Sequence, residues 1–241
     1  MTQKTIAFFG ASTGVGLSAL KYSLTAGHRC IALCRDPSKL TNALARENTL
    51  NLQVLQGNAH DAVAVSRCIK ASDSQLVDEI VFTIGGRAIP GKMTIDDPHV
   101  CEKGIATVIG AINGLRKEGV IGRPHIIVCS TTGLSKFGRD TPLVIVPVYA
   151  LMLKVPGADK KVMEEKLANS GEDFTIIRAS MLGDGESQKK IRVGIEDPQT
   201  GIESKAIGYS ISREDAGRWI AQNLVQNMSP RYMNKTVTIT N

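Results

Sequence analysis

The stretch Phe9-Gly10-Ala11-Ser12-Thr13-Gly14-Val15-Gly16 decides the fold of this 241-residue chain. It follows an apolar, β-prone segment and precedes a helical pattern, so it predicts a glycine-rich turn between a strand and a helix. Glycine lets an anion approach the backbone closely, and the helix N-terminus presents free N–H groups and a positive dipole end. We therefore predict that the turn binds a pyrophosphate. The predicted contact residues are Gly10, Ser12, Thr13, Gly14, Val15 and Gly16.

Strands and helices alternate along the next part of the chain. Apolar, β-prone segments lie at 5–9, 29–34, 52–55, 77–84, 125–129 and 174–178. Helical segments lie at 14–26, 37–46, 61–69, 98–117, 143–153 and 159–168. Strands joined by helices of this length predict right-handed crossovers and a parallel sheet covered by helices on both faces. The chain is therefore predicted to have an α/β fold.

The chain becomes more polar and richer in turns after residue 178. Further elements are predicted at 191–193 and 206–211 (short strands), 213–225 (helix) and 235–240 (strand). Ser212, with Asp215 three residues later, resembles a capping box at the start of that helix. We predict a single domain over residues 1–241, in which 181–234 form a small substrate-side lobe built onto the sheet.

The end of the second strand bears on the choice of dinucleotide. An acidic residue at this position binds a ribose 2′-hydroxyl and favours NAD, whereas an arginine accommodates the 2′-phosphate of NADP. Arg35 and Asp36 are adjacent there, so spacing alone does not decide. Asp36 precedes Pro37 and is explained as a helix N-cap. Arg35 and Lys39, the latter one turn into the helix, remain available, so we predict NADP(H) in preference to NAD(H); a solvated surface charge is the alternative for Arg35.

Two further strand ends are compatible with a dinucleotide that crosses the carboxyl edge of the sheet. Asn58 follows the third strand, where it could hydrogen-bond adenine. Small residues follow the fourth strand, where they would let the nicotinamide ribose pass: Thr83, Ile84, Gly85 and Gly86. Each segment alone could be only a loop.

Candidate catalytic residues follow the fifth strand. Ser130 ends that strand, where it would face the nicotinamide. Lys154 comes five residues after Tyr149, a rotation of about 140° net on a helix, so no Tyr-x-x-x-Lys pair is encoded. Lys160 and Glu164 are spaced for either a surface ion pair or a role of Lys160 on the ribose hydroxyls or substrate carbonyl. We predict Lys160, Ser130 and Tyr149 as catalytic candidates, with Ser130 and Lys160 also contacting the cofactor; a core or interface aromatic is the alternative for Tyr149.

A substrate is predicted to lie between residues 86–89, 130–140 and 181–186. The individual substrate contacts predicted are Arg87, Phe137, Met181 and Leu182.

Composition excludes several other classes of protein. The net charge is +6, but no basic run has interleaved aromatic residues, which disfavours a nucleic-acid partner. The longest apolar run, 143–153, is too short to span a membrane, and no signal-peptide pattern begins the chain. The four histidines are scattered and the five cysteines form no CxxC, so we predict no metal site and buried thiols in a reducing, cytoplasmic compartment.

Motifs along nearly the whole chain resemble the NmrA-like NAD(P)-binding proteins, which are atypical short-chain dehydrogenase/reductases. The matching segments are 10–16, 35–40, 57–58, 159–178 and 211–217, and 130–133, 137–140 and 184–186 resemble a fungal branch. Two departures are Thr13, at a position where the family usually has glycine, and Asn58, where it usually has aspartate.

The resemblance implies a Rossmann-type doubly wound sheet and NADP(H) binding. It leaves three functions open. The first is an NADPH-dependent oxidoreductase that transfers hydride to a small carbonyl or conjugated alkene. The second is a redox-sensing regulator that binds NADP(H) and a protein partner without turnover. The third is a non-redox isomerase or cyclase.

Overall fold

The apolar segments pair side by side in one sheet, flanked by the helical segments. The structure is a computed structural model that describes residues 2–45, 47, 49–87, 89, 94–187 and 189–241, without the side chains of 148, 150 and 152. The strands are β1 Thr5–Phe9, β2 Arg29–Cys34, β3 Leu52–Gln56, β4 Glu79–Phe82, β5 His125–Thr131, β6 Phe174–Ala179, β7 Met181–Gly183, β8 Arg192–Asp197, β9 Gly201–Ser204, β10 Ser210–Ser212 and β11 Lys235–Thr240. The helices are α1 Gly14–Thr25, α2 Pro37–Ala43, α3 Ala62–Ile69, α4 Val100–Lys117, α5 Val146–Met152, α6 Lys154–Ala168 and α7 Arg213–Ile220, with 3₁₀ turns at Leu143–Ile145 and Pro230–Tyr232 and a π-helical turn at Ala221–Gln226.

The main sheet has the strand order β3-β2-β1-β4-β5-β6-β11-β8-β9. The strands from β3 to β11 run parallel, whereas β8 and β9 are added antiparallel at one edge. The prediction of an α/β fold with a mostly parallel sheet is confirmed. The chain runs outward from β1 to β3 and then crosses to β4 on the other side of β1. The loops after β1 and β4 therefore diverge, which opens a crevice at the carboxyl ends of these strands.

Two apolar layers hold the helices against the sheet. Successive residues of a strand point to opposite faces, so Phe8 enters the layer beneath α1 and α7, and Phe9 enters the layer beneath α3, α4 and α6. Both side chains are almost fully buried. The central strands read as continuous apolar runs because helices cover both faces.

Residues 181–234, predicted as a substrate-side lobe, are distributed over three places. The hairpin of β8 and β9 extends the main sheet, and β7 pairs with β10 in a separate two-stranded sheet. The helix α7 packs along α1. Ser212 caps α7 as predicted, because its Oγ accepts a hydrogen bond from the backbone N–H of Asp215 at 2.9 Å.

The boundaries of several elements differ from those predicted. The helix predicted from residue 159 begins at Lys154, because Pro156 lies in the first turn, where no intrahelical N–H is needed. The strand predicted at 206–211 is limited to β10, and the short strands β7 and β9 were not predicted. The helix predicted to residue 46 ends at Ala43, and residue 46 itself lies outside the described residues.

All five cysteines are buried free thiols, as predicted. Among the described residues, no helix is both long and apolar enough to cross a bilayer. The same residues contain no cluster of histidine, cysteine and carboxylate side chains arranged to hold a metal ion.

His125, at the start of β5, makes the stability of the fold depend on pH. Burial lowers the pKa of His125 to about 4. Its Nε2 lies 2.9 Å from Oγ1 of Thr175, which itself donates to the carbonyl of Tyr232, so the ring is neutral with Nε2–H as the donor. An unfolded histidine titrates near pH 6.5. Its stabilising contribution is therefore complete above that pH and is lost as the pH falls toward 4, by about 2 kcal/mol at about pH 5.

When the pH falls from about 7.5 to about 5, the free energy of unfolding of the wild type is expected to decrease by about 2 kcal/mol more than that of the variant His125→Gln. Urea titrations at the two pH values measure this difference. Burial raises the pKa of Glu79 to about 7. Glu79 therefore binds a proton more readily in the folded state and has the opposite effect over this interval, so only the difference between variant and wild type isolates His125. An equally steep loss in both proteins would contradict the assignment.

Candidate functional site

The glycine-rich turn between β1 and α1 requires glycine for two separate reasons. Gly10 and Gly14 have φ values of 90° and 58°, which side-chain-bearing residues rarely adopt. A Cβ on Gly16 would stand 2.5 Å from the carbonyl oxygen of Gly10 and closer still to Oγ1 of Thr83. The backbone of the turn is therefore packed against the end of β4, and the start of α1 has no side-chain cap.

A groove of about 440 Å³ runs along this edge over the crevice between β1 and β4. Eleven of the residues predicted to contact cofactor or substrate line it: Gly10, Ser12, Thr13, Arg35, Lys39, Asn58, Thr83, Ile84, Gly85, Gly86 and Arg87. Gly14, Val15 and Gly16 do not line it, and Val15 is buried in the core beneath α1. Gly14 lies at the N-terminus of α1, and Gly16 sits behind Thr83.

The adenosine end of the groove carries free positive charge. The carboxylate of Asp36 accepts hydrogen bonds from the backbone N–H and the hydroxyl of Ser38, at 3.1 and 2.6 Å. The hydroxyl of Ser38 is the main reason why the pKa of Asp36 is lowered. Asp36 is thus the N-cap of α2, as predicted. Arg35 and Lys39 are exposed, and neither makes a hydrogen bond or an ion pair within the described part of the chain.

The middle of the groove is formed by the ends of β3 and β4. The Asn58 side-chain oxygen accepts from the backbone N–H of His60 at 3.1 Å, which shapes the loop and leaves its amide exposed. Thr83 Oγ1 donates toward the carbonyls of Phe9 and Gly10, at 3.1 and 3.3 Å. Thr83 therefore holds the glycine-rich turn, a role that the sequence did not reveal.

The end of β5 brings together buried hydroxyl groups. Ser130 is 3% exposed, and its Oγ has no hydrogen-bond partner among the described residues. Burial raises the pKa of the Tyr149 phenol, and the hydroxyls of Thr132 and Thr131 beside it act in the opposite direction. A buried hydroxyl normally has a hydrogen-bond partner, so the Ser130 hydroxyl remains available to a bound water or polar ligand.

Lys160 lies next to this cluster, on the first half of α6. Its Nζ donates to the carbonyl oxygen of Cys129, the residue before Ser130, at 2.8 Å. The surface ion pair considered for Lys160 and Glu164 does not form, because Glu164 faces Arg178 instead, with its Oε2 2.6 Å from Nη2. Lys160 also has no tyrosine partner in a Tyr-x-x-x-Lys arrangement, because the residue four positions before it is Pro156, which has no hydroxyl. Ser130 and Lys160 both lie at the end of β5, but neither lines the 440 Å³ groove, so their predicted contacts with the cofactor stay predictions.

An ionic network that sequence reasoning missed lies beside Ser130. Arg178 is the register partner of Ser130 on β6 and bonds both Glu164 and Glu196. Burial would lower the pKa of Arg178, but these two carboxylates raise it. The backbone N–H of Gly133 donates to Asp140 at 2.8 Å, while burial raises the pKa of Asp140. The arginine within the otherwise apolar pattern of β6 was the available signal.

The residues predicted to contact substrate lie apart from one another. Arg87 is in the groove, where its backbone N–H donates to Asp96 at 2.7 Å. Phe137 is 38% exposed and packs against Gly201 of β9. Met181 and Leu182 belong to β7, where Met181 is 41% exposed. Residue 88, within the predicted substrate segment 86–89, lies outside the described residues. The substrate contacts therefore stay predictions.

Residues 10–227 match the sequence model of a family described as NAD(P)H-binding. The chain belongs to this NAD(P)H-binding family. Reductase pytE of Aspergillus terreus is 40% identical over 265 residues, which cover 99% of this chain and 98% of that protein. Oxidase pynE of Aspergillus niger is 31% identical over 284 residues, covering 100% and 99%. The family and these relatives support an oxidoreductase.

Solved structures share the fold of this NAD(P)H-binding protein. A short-chain dehydrogenase/reductase from Veillonella parvula in complex with NADP has a TM-score of 0.72 at 12% identity, covering 100% of this chain and 95% of that one. ChuY of Escherichia coli O157:H7, an anaerobilin reductase, has a TM-score of 0.66 at 21% identity, covering 98% and 96%. The Rossmann-type fold and the family indicated by the resemblance are confirmed.

The groove fits a nicotinamide dinucleotide. Gly10 and Gly16 bring backbone close to the uncapped start of α1, where a pyrophosphate would find free N–H groups. Arg35 and Lys39 lie unpaired in the groove, whereas the buried Ser130 hydroxyl and Lys160 lie outside it, at the end of β5. These are the groups that the two ends of such a cofactor need.

Proposed function

We propose that this protein is an NADPH-dependent reductase that transfers hydride to a small carbonyl compound or a conjugated alkene. One observation carries the proposal: free cations, Arg35 and Lys39, at the adenosine end of the site, and the buried, unpartnered Ser130 hydroxyl with Lys160 at the end of β5. The name of the relative Reductase pytE supports the direction of the reaction.

Arg35 and Lys39 are the groups that would hold the 2′-phosphate of NADPH. A guanidinium recognises a phosphate in a bidentate manner, and a lysine one turn away adds a second charge. Asp36 is occupied by its capping bonds with Ser38. Its carboxylate is therefore held at the helix N-terminus.

Ser130 and Lys160 are the groups that would polarise the substrate oxygen. Bound NADPH supplies the hydride. Negative charge then develops on the oxygen of a carbonyl or an enone, and the Lys160 ammonium keeps two N–H groups beyond its bond to Cys129. The Ser130 hydroxyl, directly or through water, can donate a hydrogen bond to that oxygen, which takes its proton from solvent water. Tyr149 contributes its phenol to the same hydroxyl cluster.

A small-molecule substrate, rather than nucleic acid or a membrane, is therefore the partner that we propose. The buried free thiols support a reducing compartment, which we propose is the cytoplasm.

Fluorescence titrations with NADPH and NADH, followed by a turnover screen over carbonyls and enones, test the proposal. We expect tight NADPH binding and NADPH consumption with at least one substrate. Binding without any turnover would favour a regulator. Pro156 supports that alternative, because it lies where a tyrosine of a Tyr-x-x-x-Lys pair with Lys160 would be. Product formed without net NADPH oxidation would favour an isomerase or cyclase.

The variant Arg35→Ala is expected to bind NADPH about 30-fold more weakly, because it loses a charge-assisted contact with the 2′-phosphate, and to bind NADH as the wild type does. Both affinities are measured by cofactor fluorescence. Arg29→Ala removes another exposed arginine, at the other end of β2, and serves as the control. An unchanged NADPH affinity in Arg35→Ala would show that Arg35 does not bind the 2′-phosphate.

A further inference from the structure

An ion pair between Arg213 and Asp184 lies beside the glycine-rich turn. It lies next to α7, whereas Arg35 and Lys39 lie next to α2. Arg213 at the start of α7 lies against Gly14, Gly217 lies against Ser18, and the Gln226 side chain reaches the carbonyl of Tyr22. The helices α1 and α7 therefore run in the same direction, and their N-termini meet at the same edge of the sheet. Arg213 thus stands at the end of α1 where the pyrophosphate is expected.

The side chain of Arg213 crosses directly over Gly14. Its Cδ lies 3.1 Å, and its Nε 3.8 Å, from the position that a Cβ of Gly14 would occupy. Its Nη1 donates to Oδ1 of Asp184 at 2.6 Å. Gly183 of β7 pairs with Ser212 of β10, so the residues that follow them, Asp184 and Arg213, lie side by side.

The partner of Arg213 is easily exchanged. The Asp184 side chain is 83% exposed and the Arg213 side chain 37%, and an exposed ion pair of this kind is weak. The neighbouring residues of the loop have their own anchors, since Glu186 pairs with Arg218 and Ser187 bonds Asp215. Arg213 can therefore leave Asp184 while the rest of the loop stays in place.

We propose that Arg213 is a further cofactor-binding residue, which contacts the pyrophosphate, and that Asp184 competes with the pyrophosphate for its guanidinium. The inference rests on the proposed function, because it requires a bound dinucleotide at Gly14. Arg213 differs from Arg35 in what it recognises: a pyrophosphate is common to NADPH and NADH, whereas the 2′-phosphate is present only in NADPH. Arg213 should thus set the overall affinity, and Arg35 the preference between the two cofactors.

Fluorescence titrations of the full chain with NADPH and with NADH test this inference. Arg213→Gln is expected to weaken the binding of both cofactors by a similar factor, about tenfold, because one charge-assisted contact is lost. Asp184→Asn is expected to tighten both about threefold, because the competing charge is removed. Glu203→Gln is the control, since it removes an exposed carboxylate of β9 that pairs with Lys235, and it should leave both affinities unchanged.

The double variant Asp184→Asn/Arg213→Gln separates competition from a general electrostatic effect. Competition predicts that it binds as weakly as Arg213→Gln alone, because Asp184 acts only through Arg213. Equal tightening by Asp184→Asn in both backgrounds, or unchanged affinities in Arg213→Gln, would overturn the inference. If Arg213→Gln does not fold, Arg213→Lys, which keeps the charge but not the fork of donors, should show intermediate affinities. Wild-type protein that binds neither cofactor would overturn the proposed function and this inference together, whereas normal wild-type binding with unaffected variants overturns only the inference.

Discussion

Replacing Arg178 by methionine is expected to lower the free energy of unfolding by about 3–5 kcal/mol. Arg178 is 6% exposed, and its guanidinium bonds Glu164 of α6 at 2.6 Å and Glu196 of β8 at 3.0 Å. The variant leaves two buried carboxylates without their cation, and an uncompensated buried charge costs far more than the pair contributed. Urea unfolding at neutral pH measures the difference.

Two controls separate this mechanism from a general effect of losing an arginine. Arg123→Met breaks the exposed pair with Asp173 and should change the stability little. Adding Glu164→Gln and Glu196→Gln to Arg178→Met removes the stranded charges and should recover a large part of the lost stability. The interpretation fails if Arg178→Met is no less stable than Arg123→Met, or if the neutralised triple variant recovers nothing.

The Arg178 network also connects stability to the reacting end of the site. Glu164 lies one turn after Lys160 on α6, so its bond to Arg178 fixes the helix that carries Lys160. Arg178 lies beside Ser130 in the register between β5 and β6. The position of the Lys160 ammonium next to the end of β5 therefore depends on a buried charge cluster whose members are not among the residues that line the groove.

The turn from Gly10 to Gly16 and the cap at Asp36 could be predicted because their signals are local in sequence, each depending on residues close to one another along the chain. The surroundings of Ser130 and Lys160 depend on distant parts of the chain. Arg178, Glu164 and Glu196 meet only after β6, α6 and β8 have been placed, and no spacing rule brings them together.

The strands of the main sheet also differ in whether their sequence alone predicts them. The central strands were predicted because helices bury them on both faces and leave continuous apolar runs. The strand β9 has only four residues, two of them exposed, and a polar sequence, so its place next to β8 follows from backbone pairing rather than from an apolar pattern. Thr83 was assigned to the cofactor from its position at a strand end, whereas in the folded chain its hydroxyl also bonds the backbone of the turn.

The contact between Thr83 and the glycine-rich turn is the basis for a second prediction with a large expected effect. The variant Gly16→Ala is expected to lower the free energy of unfolding by about 3 kcal/mol and to weaken NADPH binding at least about 100-fold. The added Cβ would stand 2.5 Å from the carbonyl oxygen of Gly10 and closer to Oγ1 of Thr83. Neither neighbour can yield freely, because Gly10 is turn backbone at the end of β1 and Thr83 bonds the carbonyls of Phe9 and Gly10. The turn must therefore move away from β4, and the backbone that would meet the pyrophosphate moves with it.

Gly110→Ala provides the matched control for this substitution. Gly110 lies within α4, and no atom lies within 4 Å of the position that its Cβ would take. The same added methyl group should there raise the stability by about 0.5–1 kcal/mol, because alanine favours the helix, and should leave NADPH binding unchanged. Thermal unfolding and cofactor fluorescence on both variants separate the two sites. If Gly16→Ala kept wild-type stability and NADPH affinity, the close packing of the turn against Thr83 would not be what positions the cofactor, and the glycine at this position would need another explanation.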